Sequence, residues 1–323
     1  MHTNTKKYRI FTWHVHGSYL LYLTQADCDF YLPYLPGVPG YGGKTKGFPF
    51  GDNVYQIPAE EVKNHDFDCI VFQSKKNYQE DQYHILSEKQ RSLPRIYLEH
   101  DPPREHPTET KHIVDDPEIL LIHVIHFNNV MWDNGRTPTK VIEHGVYIPY
   151  PGAMYTGELE KGIVVLNGLA TRGRRMGFDI FQNVREKIPL DLIGMEYEKA
   201  GGVGEVPLTE LPLVLPRYRF FFYPVRYTSF GLAVCEAMML GLPIVALATT
   251  EMATVIKNGE TGFIDTNIDS LIDKMKLLLK DKGLARTLGE NARAYAEQRF
   301  GIQRFAKEWE ETFAFMASGK NTT

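Results

Sequence analysis

Short apolar runs alternate with polar stretches through the first half of the chain: YRIFTWHV, DCDFYLPYL, FDCIVFQ, RIYLEHD, ILLIHVIHF and TKVIEHGV. Runs of this length, rich in β-branched and aromatic residues and spaced by polar or helical stretches, predict strands of parallel α/β units. A second series follows from Gly162: GIVVLNGLA, LDLIGM, YRFFFYP, LPIVALAT and TGFI. Between them PYPGAMYTGELEKG, Pro149 to Gly162, breaks the pattern with proline and glycine, which predicts a boundary between two domains, 1–150 and 151–323. The stretch LPGVPGYGGKTKGFPFGDN, residues 35–53, is dense in the same two residues. It cannot propagate a helix or a central strand and is predicted as a long surface loop, a kind of segment that often carries function.

The last part turns helical. Leu271, Met275, Leu278 and Leu279 recur at helical spacing, then Leu284, Leu288, Ala292 and Tyr295, then Phe305, Trp309, Phe313 and Met316. Each stripe marks one apolar face turned towards a core.

Composition narrows the function classes. A chain of 323 residues, 43% of them hydrophobic, is long enough for two cores at about 150 residues each. The net charge of -4 and a pI near 6.3 leave no basic footprint, so nucleic acid is not an expected partner. Cys28, Cys69 and Cys235 are widely spaced and form no CxxC pair, which indicates neither a disulfide framework nor a cysteine zinc site and fits a reducing cytoplasm. The N-terminus lacks a signal-peptide apolar core, and nowhere do 18 apolar residues run together. A soluble, cytoplasmic chain is expected, with peripheral membrane association left open.

The sharpest chemical signal is YTSFGLAVCEAMMLGLPIV, Tyr227 to Val245. A loop of Thr228, Ser229, Phe230 and Gly231 enters a helix at about Leu232, where free backbone N–H groups and the helix dipole make an anion site fit for a diphosphate. Gly231 lets a ligand come close to the backbone. Glu236 then falls about one turn inside an apolar helix, where a carboxylate needs hydrogen-bond donors. The alternative for Glu236 is a structural carboxylate. With two α/β halves and SFGLAVCEAMMLGLPIVA…NGETGFI in the second, the chain resembles the retaining GT-B glycosyltransferases of glycosyltransferase family 4, most strongly from Gly162 to about Met316. The resemblance implies two Rossmann-like domains facing across a cleft, the last helix packing back towards the first domain. A nucleotide-diphosphate sugar would lie mainly on the C-terminal domain, the acceptor against the N-terminal one, and no cofactor or metal would be required. Ribose hydroxyls would then bond Glu236.

The chain departs from that family in two places. The family pairs its acid with another eight positions earlier, near the donor sugar, and here that position is Thr228. A charge-assisted hydrogen bond of about 1.5–3 kcal/mol is lost relative to the pattern. The family also has an Arg and then a Lys after the first strand of the domain, and NGLATRGRRMGFD puts Met176 nearest the Lys. Arg172 and Arg175 crowd the same turn, and guanidinium groups bind phosphate oxygens bidentately, so these two are the expected phosphate ligands, with Arg226 as a further candidate.

In the N-terminal domain Gly17 stands at the turn after the first strand, where a Rossmann-like half admits ligand close to backbone. His100 and Asp101 end the strand YLEHD before two prolines, and the family often has a His at a comparable strand end near the sugar. His14 with His16, and His123 with His126, are spaced for a metal, but no cysteine or dedicated carboxylate accompanies them and no metal site is expected. The expected activity is retaining transfer of a sugar to an acceptor hydroxyl, the acceptor being a glycan, a lipid-linked species or a small molecule. A non-catalytic nucleotide-sugar or glycan-binding protein, or a sugar-nucleotide epimerase, are the competing readings on the same fold.

Overall fold

The computed structural model describes residues 7–319 apart from 46 and 151. It separates into two compact units, Met1–Gly145 with Ile302–Thr323, and Val146–Gly301. The chain leaves the first unit after Gly145 and returns after Gly301, and the N–H of Val146 already bonds the carbonyl of Phe300 at 2.9 Å within the second unit.

The first unit holds seven strands: β1 (Arg9–Thr12), β2 (Asp29–Tyr34), β3 (Val54–Pro58), β4 (Cys69–Phe72), β5 (Arg95–Glu99), β6 (Ile119–His123) and β7 (Thr139–Val141). All neighbours are parallel, in the order β3-β2-β1-β4-β5-β6-β7. Strands covered on both faces read as continuous apolar runs, and β4 (CIVF) and β6 (ILLIH) are buried along their whole length. Trp13 packs edge-on to Phe11 at 4.9 Å and stacks on Phe72 at 5.7 Å, anchoring one face of the sheet. The helix Ile302–Ala317 covers part of the other with Phe305, Trp309 and Phe313, and Phe313 reaches Phe30 of β2 at 6.2 Å.

β3 has no counterpart among the runs that the sequence pattern marks as strands. It is an edge strand whose VYQIP buries just Val54 and Ile57 and ends on a proline, which an edge tolerates. It follows directly on the predicted 35–53 loop, which does connect β2 to β3.

The second unit holds β8 (Leu159–Val165), β9 (Leu190–Ile193), β10 (Tyr218–Tyr223), β11 (Ile244–Leu247) and β12 (Gly262–Asp265), parallel throughout in the order β12-β11-β10-β8-β9. β10 (YRFFFY) and β11 are wholly buried. The helices Ile268–Lys280 and Lys282–Arg299 cover the sheet, each opened by a side-chain cap, Asn267 to the N–H groups of Asp269 and Ser270 and Asp281 to that of Leu284. Leu271, Met275, Leu278, Leu288 and Ala292 are buried as the helical stripes predict, while Leu279, Leu284, Tyr295 and Met316 lie at the margins of their faces.

Gly177 is a tight backbone junction of this unit, between the loops that follow β8 and β10. Its φ is +82°, and a Cβ there would sit 2.0 Å from the carbonyl oxygen of Pro224, a backbone atom that cannot swing aside. Gly177→Ala is expected to cost about 1–3 kcal/mol from the left-handed conformation and more from the overlap. A lower urea midpoint with an unchanged slope is the measurement, and a midpoint equal to that of the parent would show that the two loops part readily.

Candidate functional site

In an open parallel sheet, ligands bind beyond the carboxyl ends of the strands where the strand order reverses. In the second unit that point lies between β8 and β10. The loops leaving these strands are joined by backbone: the carbonyl of Arg175 accepts the N–H groups of Arg226 at 3.0 Å and Tyr227 at 3.2 Å. Arg226 also donates to the carbonyl of Arg174 at 2.7 Å and grips both oxygens of Asp179 at 2.6 and 2.8 Å. Arg174 reaches the same carboxylate at 2.7 Å. Hydrogen bonding from Arg226 holds the Asp179 carboxyl below its usual range, and the pairing raises Arg226 in return. The guanidinium of Arg226, the further phosphate candidate, is thus engaged in closing the loop junction.

Arg172 is exposed and donates to the carbonyl of Asn167 at 3.5 Å. Arg175 is half-buried and lies 3.4 Å from the carbonyl of Tyr227, so it stands on the joined loops themselves. Met176 is 2% exposed. The position nearest the missing lysine thus faces the core and offers nothing to a ligand.

Beyond the junction Thr228, Ser229 and Phe230 are buried, and Phe230 packs on Phe300 at 5.4 Å. Gly231 opens the helix Leu232–Met239 with ordinary extended angles, φ -83° and ψ 135°, and as a glycine brings no side-chain cap of its own. Its conformation does not call for glycine. A Cβ there would make ordinary contact with Tyr223, its hydroxyl at 3.4 Å, so the position has room for a small side chain. Glu236 lies one turn in and is 5% exposed, a carboxylate in a helix otherwise made of apolar side chains.

In the first unit the order reverses between β1 and β4. Gln73, just past β4, donates from Nε2 to Thr12 Oγ1 at 2.9 Å and to the Trp13 carbonyl at 2.8 Å, tying the two strand ends. Its Oε1 lies 3.3 Å from Nε2 of His100. The His100 ring stands 4.0 Å from that of His16 and 4.9 Å, edge-on, from Tyr19. Burial first, then the neighbouring His16 and His144, press the His100 pKa well below the ordinary imidazole value. At neutral pH His100 is thus an uncharged hydrogen-bonding group. Gln73 was invisible to motif reasoning; its one signal is a polar residue closing the apolar run CIVFQ.

Asp101 is engaged locally. Its carboxylate pairs with Arg104, its N–H bonds Glu99 Oε1 at 2.8 Å and its carbonyl accepts from Trp132 at 2.8 Å. Gly17 does lie at the β1 turn, but the space over it is filled: a Cβ would stand 2.2 Å from the Phe48 ring. The expected close approach at Gly17 is made by Phe48. The histidine pairs also diverge, His14 facing Phe48 and Phe50 while His16 faces His100, and buried His123 bonding Asn134 while His126 is exposed. Burial lowers His123 to about 4.

Two parallel-sheet Rossmann-like units of seven and five strands are the GT-B fold, and solved structures of similar fold bear this out. The chain superposes on a sucrose-phosphate synthase from Thermosynechococcus elongatus with a TM-score of 0.70, at 15% identity, over 97% of this chain and 100% of the other. It superposes on HepE from Anabaena in complex with UDP with a TM-score of 0.67, at 15% identity, over 96% and 100%. More particularly, residues 198–295 match the family described as Glycosyl transferases group 1. Among curated proteins the chain is similar to the capsular polysaccharide biosynthesis glycosyltransferase CapM of Staphylococcus aureus, 32% identical over 105 residues, 31% of this chain and 28% of CapM. It is likewise 32% identical over 87 residues to N-acetyl-alpha-D-glucosaminyl L-malate synthase of Bacillus anthracis, 26% of this chain and 23% of that protein. The chain thus spans about a quarter of the length of these relatives. No helix among the described residues is long and apolar enough to cross a membrane.

The junction carries its own pH dependence. Because the folded pKa of Asp179 lies below the unfolded value near 3.9, its contribution is complete above roughly pH 5 and fades as pH falls through the folded value. Arg226→Gln should cost about 1 kcal/mol at pH 7 after solvent screening of this partly exposed pair. That is roughly 2–4 °C in melting temperature, and the gap to the parent should narrow below about pH 4. Melting curves from pH 7 to 3 test it; a gap constant with pH would remove the ion pair as its source.

Proposed function

We propose that the chain is a retaining glycosyltransferase that moves a hexosyl-type sugar from a nucleotide-diphosphate donor to an acceptor hydroxyl. The observation that carries this reading is the joined pair of loops at the β8/β10 switch point. It brings Arg175 to the carbonyl of Tyr227, on the loop that leads into the helix Leu232–Met239, with Glu236 buried one turn inside that helix. The first-turn N–H groups at Leu232 and Ala233 and the positive end of the helix would meet the diphosphate. Arg175, with Arg172 at the rim, would add charge that grows in value as the phosphate departs. Glu236 would hold the ribose. The binding of UDP by HepE and the similarity to CapM support a nucleotide-sugar donor and a glycan or glycoconjugate product.

Retention follows from acceptor attack on the same face as the departing diphosphate, through an oxocarbenium-like state with no nucleophile from the protein. Such a route needs alignment and charge stabilisation. It does not need an acid at 228, where the buried Thr228 hydroxyl would contact the donor sugar. His100, uncharged and fixed by Gln73, would bond a sugar or acceptor hydroxyl rather than transfer charge. Neither a cofactor nor a metal has a step in this scheme.

Glu236→Gln should weaken a nucleoside diphosphate and its nucleotide sugar alike, since both carry the ribose. Thr228→Val should spare the diphosphate and cost the nucleotide sugar about 0.5–1.5 kcal/mol, the scale of one neutral hydrogen bond. Calorimetry with a matched pair of ligands reads the difference. Parent-like binding of both ligands by Glu236→Gln, with earlier melting, would make the carboxylate structural. For His100→Ala the expected loss falls on transfer rate with nucleotide affinity retained, and an equal fall in both would place the residue in the scaffold.

A further inference from the structure

The 35–53 loop has no part in the scheme above, yet it returns onto the carboxyl end of β1. The N–H of His14 bonds the Gly40 carbonyl at 3.1 Å and its Nδ1 the Gly43 carbonyl at 2.7 Å. Further along, Phe48 and Phe50 stand with ring centroids 6.0 Å apart, and His14 meets them edge-on at 5.5 and 5.6 Å. Trp13, Phe11, Phe30 and Phe72 of this unit are fully buried, whereas Phe48 and Phe50 are half-buried. Phe48 covers Gly17, and the preceding residue, His16, carries its ring to 4.0 Å from His100. A step of aromatic faces therefore runs on into a pair of imidazoles. Among the described residues beside it, Asp101 pairs with Arg104, Lys76 with Asp81, and the Lys44 ammonium donates to the Gly51 carbonyl at 3.1 Å.

We infer that Phe48, Phe50 and His14 form an acceptor subsite for the apolar face of an uncharged sugar ring, whose hydroxyls meet His16 and His100. A pyranose has a C–H face that suits aromatic rings and a rim of hydroxyls that suits groups able both to donate and to accept. An uncharged imidazole is such a group. Phe48 and Phe50 offer an anionic acceptor no charge to pair with, and burial holds His16 and His100 towards the uncharged form. This inference deepens the transferase reading and rests on it for the word acceptor.

The test is calorimetry of the full chain with maltotriose, cellotriose and methyl glucosides against glucuronic acid and glycerol 3-phosphate, and with nucleoside diphosphate on the same samples. Binding of an uncharged saccharide is expected. Phe48→Leu and Phe50→Leu, which keep apolar bulk but lose the flat face, should each weaken it about tenfold, and Phe48→Tyr should retain it. Nucleotide affinity should not change in the leucine variants. The inference is overturned if no uncharged saccharide binds, if only the anionic compounds do, or if the leucine variants bind like the parent. Saccharide binding lost in those variants, in a protein that binds no nucleotide, would sustain the subsite and unseat the transferase reading instead.

Discussion

The carbonyl of Arg175 receives two backbone N–H groups from the other side of the switch point, and the second unit is arranged around that contact. Backbone groups need partners, and these loops meet the need with each other's N–H groups and with the guanidinium groups of Arg175 and Arg226. Gly177 makes the approach possible, since any side chain there would strike Pro224. Asp179, with Arg226 and Arg174, then fixes the lateral position. Once the loops are joined, Thr228 to Gly231 have a determined path into the helix, and Phe230 is set down on Phe300.

The first unit meets the same problem with a side chain. Gln73 spans β1 and β4 with both protons of its amide and leaves its oxygen facing His100. One residue therefore couples strand-end geometry to the orientation of a candidate site histidine. The contact also favours the tautomer in which the Nε2 of His100 carries the proton, leaving Nδ1 as an acceptor. Charge at His100 would be opposed by burial and by two neighbouring imidazoles, so the arrangement selects hydrogen bonding over acid chemistry.

Strand positions were largely legible because parallel strands buried on both faces must be apolar throughout, as in CIVF and IVAL. β3 was not, because an edge strand has little to bury and its proline reads as loop. Among candidate site residues, Glu236 and the 228–231 loop could be placed from local spacing, since cap and carboxylate belong to one helix. The fate of Arg226 could not. Its partner Asp179 is 47 positions away, and nothing in either neighbourhood says that they will meet. At Gly17 a glycine at a turn announces close approach, and the group that stands there, Phe48, comes from a loop predicted to lie on the surface.

The two departures from the family pattern have different physical weight. Met176 is packed in the core, so the chain has not merely exchanged a cation for a neutral group at the rim; the side chain has left the ligand side altogether. Positive charge on the turn rests instead with Arg172 and Arg175, whose planar guanidinium groups offer several donors each. Thr228 is also buried, but on the loop that leads to Gly231. A carboxylate there would carry a desolvation cost that only a bound sugar or a nearby cation could offset. A hydroxyl is tolerated there without such a partner, so in the proposed donor site this exchange would lower the gain from sugar binding while relieving the free protein of a buried charge.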